Sequence, residues 1–135
     1  MRPENWTEIL ATSVDKASDH PFVWGQLDCC LFAADVVLAI TGQDHAAEFR
    51  GHYSSATGAK KALLRYGQGE IKETMSAKLG EPLPPLMAGR GDFVLAATEL
   101  GDSLGICMGA AAAFKSPNGV VYLRLDQCLC AWRVA

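Results

Sequence analysis

No Cys-x-x-Cys pair occurs anywhere in the chain, and that excludes a zinc ribbon, which needs two of them. The five cysteines are an odd number, which fits reduced thiols rather than a disulfide framework. Their spacing (adjacent Cys29-Cys30, lone Cys107, then Cys128 and Cys130) follows no metal rule, so a site gathered from distant cysteines stays open only as an unpatterned alternative. No motif calls for a cofactor, and none is expected. No apolar run reaches the roughly 18 residues of a membrane span; the longest ends at Ile40 and is interrupted by Asp35. The opening Met-Arg-Pro-Glu-Asn-Trp has no signal-peptide core, so the expected location is the cytoplasm, or the inside of an assembled particle. No basic cluster interleaved with aromatics appears, and the net charge of −3 argues against a nucleic-acid surface. Histidine is scarce: His20, His45 and His52 are the whole supply of imidazole bases.

What is present reads as one globular domain, 1–135, because half the residues are hydrophobic and a fifth charged. Asn5 with Glu8 forms a capping-box pattern for a helix that carries Trp6, Ile9, Leu10 and Val14 on one face and ends near Ala17. A second helix runs to Thr41, a third from about Thr57 to Tyr66, and a fourth from about Glu70 to Leu79. The proline-rich Glu81-Pro-Leu-Pro-Pro-Leu is an extended connection. Short β runs follow at 93–97, 104–108, 111–115, 120–125 and 130–134, with Ser116-Pro-Asn-Gly119 as a hairpin turn. Helices first and a meander of strands after them predict an α+β fold with an antiparallel sheet.

The chemistry concentrates in residues 22–35, Phe-Val-Trp-Gly-Gln-Leu-Asp-Cys-Cys-Leu-Phe-Ala-Ala-Asp. Asp28 is a natural N-cap and Gly42 a natural C′ residue, so Cys29 falls in the first turn of a helix that is apolar nearly all round. Free amides and the positive helix end favour a thiolate there, the form a cysteine nucleophile needs. The Asp28 carboxylate opposes that thiolate unless it is engaged as the cap. The bland alternative is a small buried apolar group.

Trp24-Gly25 with Asp28-Cys29-Cys30-Leu31-Phe32 resembles the nucleophile segment of the NlpC-type papain-like cysteine peptidases and amidases, with Cys30 and Leu31 replacing the usual Ser and Gly. Phe49-Arg50-Gly51-His52-Tyr53, Gly91-Asp92, Leu104 to Gly109 and Ala131 to Val134 extend the likeness to an offshoot of that family found among phage and prophage tail-assembly proteins. The resemblance implies a papain-like arrangement, with N-terminal helices and a central cysteine-bearing helix packed on a C-terminal antiparallel sheet. It also implies other phage tail proteins as partners, peptidoglycan peptides as a further candidate, and passage from the host cytoplasm into a virion tail.

The resemblance places the catalytic base at the start of the second strand, where this chain has Ser103 before Leu104-Gly105-Ile106. A serine hydroxyl cannot take and return a proton near neutral pH, and Lys115 or Ser116, near the third position, does not replace the base. His20, nine residues before Cys29 and next to Asp19, is the alternative base, against the reading of a solvated loop residue. Trp24, Asp28, Arg50 and Tyr53 are the binding candidates. Arg50 either forms a surface salt bridge or folds back on Asp28 or Asp35 to shut the pocket. Arg90-Gly91-Asp92 is a turn leading into a strand rather than an integrin motif. Two functions follow: an assembly module on a catalytically degenerate fold, or an active cysteine amidase or endopeptidase using Cys29.

Overall fold

The computed structural model describes residues 2–134. Four helices come first: α1 (Trp6–Ser18), α2 (Cys29–Thr41), α3 (Ala56–Tyr66) and α4 (Ile71–Leu79). Five strands follow: β1 (Phe93–Thr98), β2 (Gly101–Cys107), β3 (Ala111–Ser116), β4 (Gly119–Arg124) and β5 (Cys130–Trp132). The fold is α+β, with every strand pair antiparallel and the order β4-β3-β2-β1-β5. The meander holds for four strands only. β5 returns to the opposite edge and pairs β1, with Trp132 opposite Phe93. The crossing segment is drawn over the sheet because Leu125 and Cys128 bury against Val94, Ala112 and Phe114. β5 also stops two residues short of the expected end, since Val134 gives its amide to Asp92 rather than to a strand.

Alternation along β1 sorts side chains to two cores. Phe93 and Leu95 join Phe32, Val36, Val37 and Ile40 of α2, with Leu10 and Val14 of α1. Val94 and Ala96 face the other way, into the small cluster under the crossing segment. α2 is the axis of the larger core, with Phe32, Val37 and Ile40 wholly buried. Each such side chain contributes on the order of 2 kcal/mol by leaving water. Its start and stop follow local chemistry: the Asp28 carboxylate accepts from the Leu31 amide, and Gly42 turns left-handed at φ 79°.

The predicted capping box at α1 does not form. Asn5 has φ −95° and ψ 30°, not the extended backbone of a cap, and its side chain makes no cap bond. α3 starts one residue early, at Ala56, because Ser55 caps it through the Gly58 amide at 3.0 Å. α3 and α4 bury little, Ala62 on one and Thr74 and Met75 on the other. α4 still rests on the main core through Met75, Ile71 and Leu79, and the Trp132 indole donates to its Ser76 hydroxyl at 3.3 Å.

Candidate functional site

The Trp24-Gly25 loop is a tight return held by paired backbone bonds between Val23 and Leu27, 3.0 and 2.8 Å long. Gly25 sits at φ 83°, and any side chain there would run into the Tyr53 carbonyl. That explains Gly after Trp. The loop delivers Asp28, 1% exposed, into a three-way knot. Its carboxylate accepts from the Leu31 amide at 2.9 Å, the Gly25 amide at 3.0 Å and the Tyr53 hydroxyl at 2.5 Å. Burial, and then the negative charge of Asp28, push the Tyr53 hydroxyl far above its ordinary pKa, so it stays a donor.

Cys29 follows in the first turn of α2, 5% exposed. Its sulfur lies 3.8 Å from that of Cys30. The Cys30 thiol is the largest influence bringing the Cys29 thiol below its ordinary value; burial and Asp28 work against it, and Ser103 and the Cys30 amide assist. Engaging Asp28 as the cap does not silence its opposition. Cys30 moves strongly upward, because its proton is wanted by Cys29 and because it is buried. The pair is one thiolate-leaning sulfur and one firmly protonated neighbour.

Ser103 is 1% exposed and its hydroxyl already has partners: Thr98 Oγ1 at 2.9 Å and the Gly101 carbonyl at 3.3 Å. It assists the Cys29 thiolate without being able to serve as a base. His20 does not approach Cys29. Its Nδ1 meets the Lys16 carbonyl at 2.7 Å, and it lines a separate hollow with Ser13, Gln26 and Asp35. The chain is turned that way because Lys115 Nζ, on β3, holds the Ala17 and His20 carbonyls at 2.8 and 2.6 Å, fastening the end of α1 to the sheet. Burial lowers the Lys115 pKa. Among the described residues, no imidazole is within hydrogen-bond reach of the Cys29 sulfur.

A cavity of about 790 Å³ opens from Cys29 and Cys30 toward α3 and α4. Trp24, packed edge-on against Phe22 at 5.0 Å, stands at the cysteine end, and Asp28 and Tyr53 share the wall. His45 also lines it, stacked edge-on against Phe93 at 5.8 Å. Burial, then Lys78, keep the His45 imidazole below its ordinary pKa. Arg50 neither reaches Asp28 nor lines the cavity. It pairs Asp35 at 2.8 Å and, unexpectedly, Asp44 at 2.8 Å, because the turn at 44–50 folds the two onto each other. His52 meets the Tyr66 hydroxyl at 3.1 Å, away from the thiol.

Sequence reasoning named Tyr53 but missed its partner, which lies 25 residues away. It also passed over Cys30, although Cys-Cys adjacency was the available signal. Asp92 of the Arg-Gly-Asp stretch is 3% exposed and bonded to the Gly89 and Val134 amides, each at 2.9 Å, so it is a fastener and is not presented to a partner. Among the described residues, no group of three or more His, Cys, Asp or Glu could hold a metal, and no helix is long and apolar enough to cross a membrane.

These features define an α+β domain with a helix-start cysteine, braced by a buried N-cap aspartate, at the end of an apolar cavity. The chain belongs to the family described as a domain of unknown function (DUF6950), whose profile matches residues 1–134. Comparison with functionally curated proteins finds no match.

Proposed function

We propose that the protein is an assembly or structural component of a phage or prophage tail, built on an NlpC-type papain-like domain that no longer cleaves amides. One observation carries the loss of cleavage: the position that the resemblance reserves for the base holds Ser103, buried and bonded to Thr98 and Gly101. An amide leaving group must receive a proton as it departs, and among the described residues no imidazole lies within reach of Cys29 to take one from a nucleophile and return it. The tail setting, with assembly in the host cytoplasm and tail proteins as partners, is supported by the resemblance of Trp24-Gly25, Asp28-Cys29 and Phe49 to Tyr53.

The test pairs two assays. Deleting the gene from its phage or prophage should abolish tailed particles, while Cys29→Ala should restore them in full. Purified protein should release no peptide from cell-wall fragments. Peptide release that Cys29→Ala abolishes would overturn this reading. It would favour the second one, an active amidase or endopeptidase on cell-wall peptides, for which the lowered Cys29 thiol in the wall of a cavity is the supporting observation.

A further inference from the structure

The cavity beside Cys29 is lined mostly by apolar surface. Leu31, Phe49, Leu63, Ile71, Met75 and Leu104 contribute its walls. Its size is within the range of small-molecule sites, roughly 300–1,000 Å³. Two helices that bury only three residues between them roof it. The charged residues Lys60, Lys78, Glu70, Glu99 and Asp102 also border the space. Against the apolar stretches of these walls a peptide would leave backbone amides unpaired, at a cost that an aliphatic chain does not incur.

In its wall stands a nucleophile with one particular disability. Cys29 leans toward thiolate, but among the described residues no imidazole lies within hydrogen-bond reach of it to protonate a departing amine. A thioester imposes no such requirement, because its leaving group is itself a thiolate, with a conjugate pKa of about 8.5. The Cys29 and Cys30 amides, at the first two positions of α2, have no backbone acceptor among the described residues. They can meet the oxygen that becomes negative as a carbonyl is attacked.

We infer that the cavity beneath α3 and α4 takes the hydrocarbon chain of a long-chain acyl thioester, and that Cys29 accepts the acyl group. The Cys29 sulfur attacks the carbonyl carbon and a new carbon–sulfur bond forms. The bond to the donor sulfur breaks, and the donor leaves as a thiolate that takes its proton from solvent. No oxidant or metal is required. The product is an S-acyl protein with the chain sheltered under α3 and α4. Its persistence rests on the absence of a base proposed above; its formation does not.

The experiment incubates the full chain with hexadecanoyl-coenzyme A, below its micelle-forming concentration, and follows the intact mass and released free acid. Expected are one added hexadecanoyl group per chain, its removal by neutral hydroxylamine, and its loss in Cys29→Ala but not in Cys107→Ser. Acetyl-coenzyme A should react at least about tenfold more slowly, since it gains nothing from the apolar walls. Ala59→Phe, which places a ring in the cavity, should slow the hexadecanoyl reaction by a larger factor than the acetyl reaction. Absence of both adduct and free acid overturns the inference, as does an adduct that survives Cys29→Ala. Equal rates for the two donors overturn the role of the cavity. Free acid released over many turnovers overturns persistence, and with it the base-less reading, while acyl capture stands.

Discussion

Two buried aspartates each sit beside a buried cysteine, and the two cysteines move in opposite directions. Asp28 accepts two backbone amides and the Tyr53 hydroxyl; Asp92 accepts two backbone amides and has Arg2 at 3.8 Å. Next to Asp28, the Cys29 thiol comes down. Near Asp92, the Cys107 thiol goes up, first through burial and also through that carboxylate, while its S–H group meets the Gly109 carbonyl at 3.3 Å. Both carboxylates oppose a thiolate, so the N-cap is not what makes Cys29 acidic. The difference is local: Cys29 has the Cys30 thiol and, to a lesser degree, the Ser103 hydroxyl and Cys30 amide as donors. The aspartate knot is a fastening device used twice, and only the donors around the sulfur turn one copy into a chemical site.

Removing the knots should give the largest effects. Asp28→Ala and Asp92→Ala each orphan one buried amide, that of Leu31 or of Val134, and a second, partly buried one, so each variant should lose roughly 2–4 kcal/mol in urea unfolding. A loss below about 1 kcal/mol at either position would break the parallel between them. Next come the two left-handed glycines of α2's flanks. Gly25→Ala combines strained φ with a collision at the Tyr53 carbonyl and should cost at least about 3 kcal/mol. Gly42→Ala meets open space and should cost about 1 kcal/mol. Equal losses would mean that the loop does not rest on Tyr53. Tyr53→Phe removes one donor to a charged group and should cost about 2 kcal/mol in thermal or urea unfolding.

The smallest change in stability, and the sharpest in chemistry, belongs to Cys30→Ala. It deletes the largest lowering influence on Cys29, so the alkylation rate of Cys29 should reach half its maximum at a higher pH than in the native protein. Cys107 should keep its midpoint above the ordinary thiol value of about 8.5 in both proteins. If Cys30→Ala leaves the Cys29 midpoint in place, the helix end rather than the neighbouring thiol sets it.

The parts of this arrangement that were legible in the sequence are those fixed by neighbours in the chain. Asp28 and Gly42 bracket α2 through bonds spanning three or four residues, and Gly119 closes the last hairpin within four. Asn5 misled because a capping pattern is not a cap until the backbone before the helix is extended. The parts that could not be read lie across distance. Tyr53 finds Asp28 only once α2 and the 44–53 turn are packed, and Lys115 reaches back 98 residues to Ala17, turning His20 away from the thiol. The return of β5 to the far edge is set by burial on the second sheet face, which alternation alone does not order.

The central claim is that Cys29 leans toward thiolate without help from an imidazole. Its most direct test is the alkylation rate of Cys29 by iodoacetamide against pH, in the native chain and in the triple variant His20→Gln, His45→Gln, His52→Gln. The two profiles should share one midpoint, below the ordinary thiol value. A profile in the triple variant that moves up to that value, or loses a second titration step seen in the native chain, would reveal a histidine partner and contradict the account.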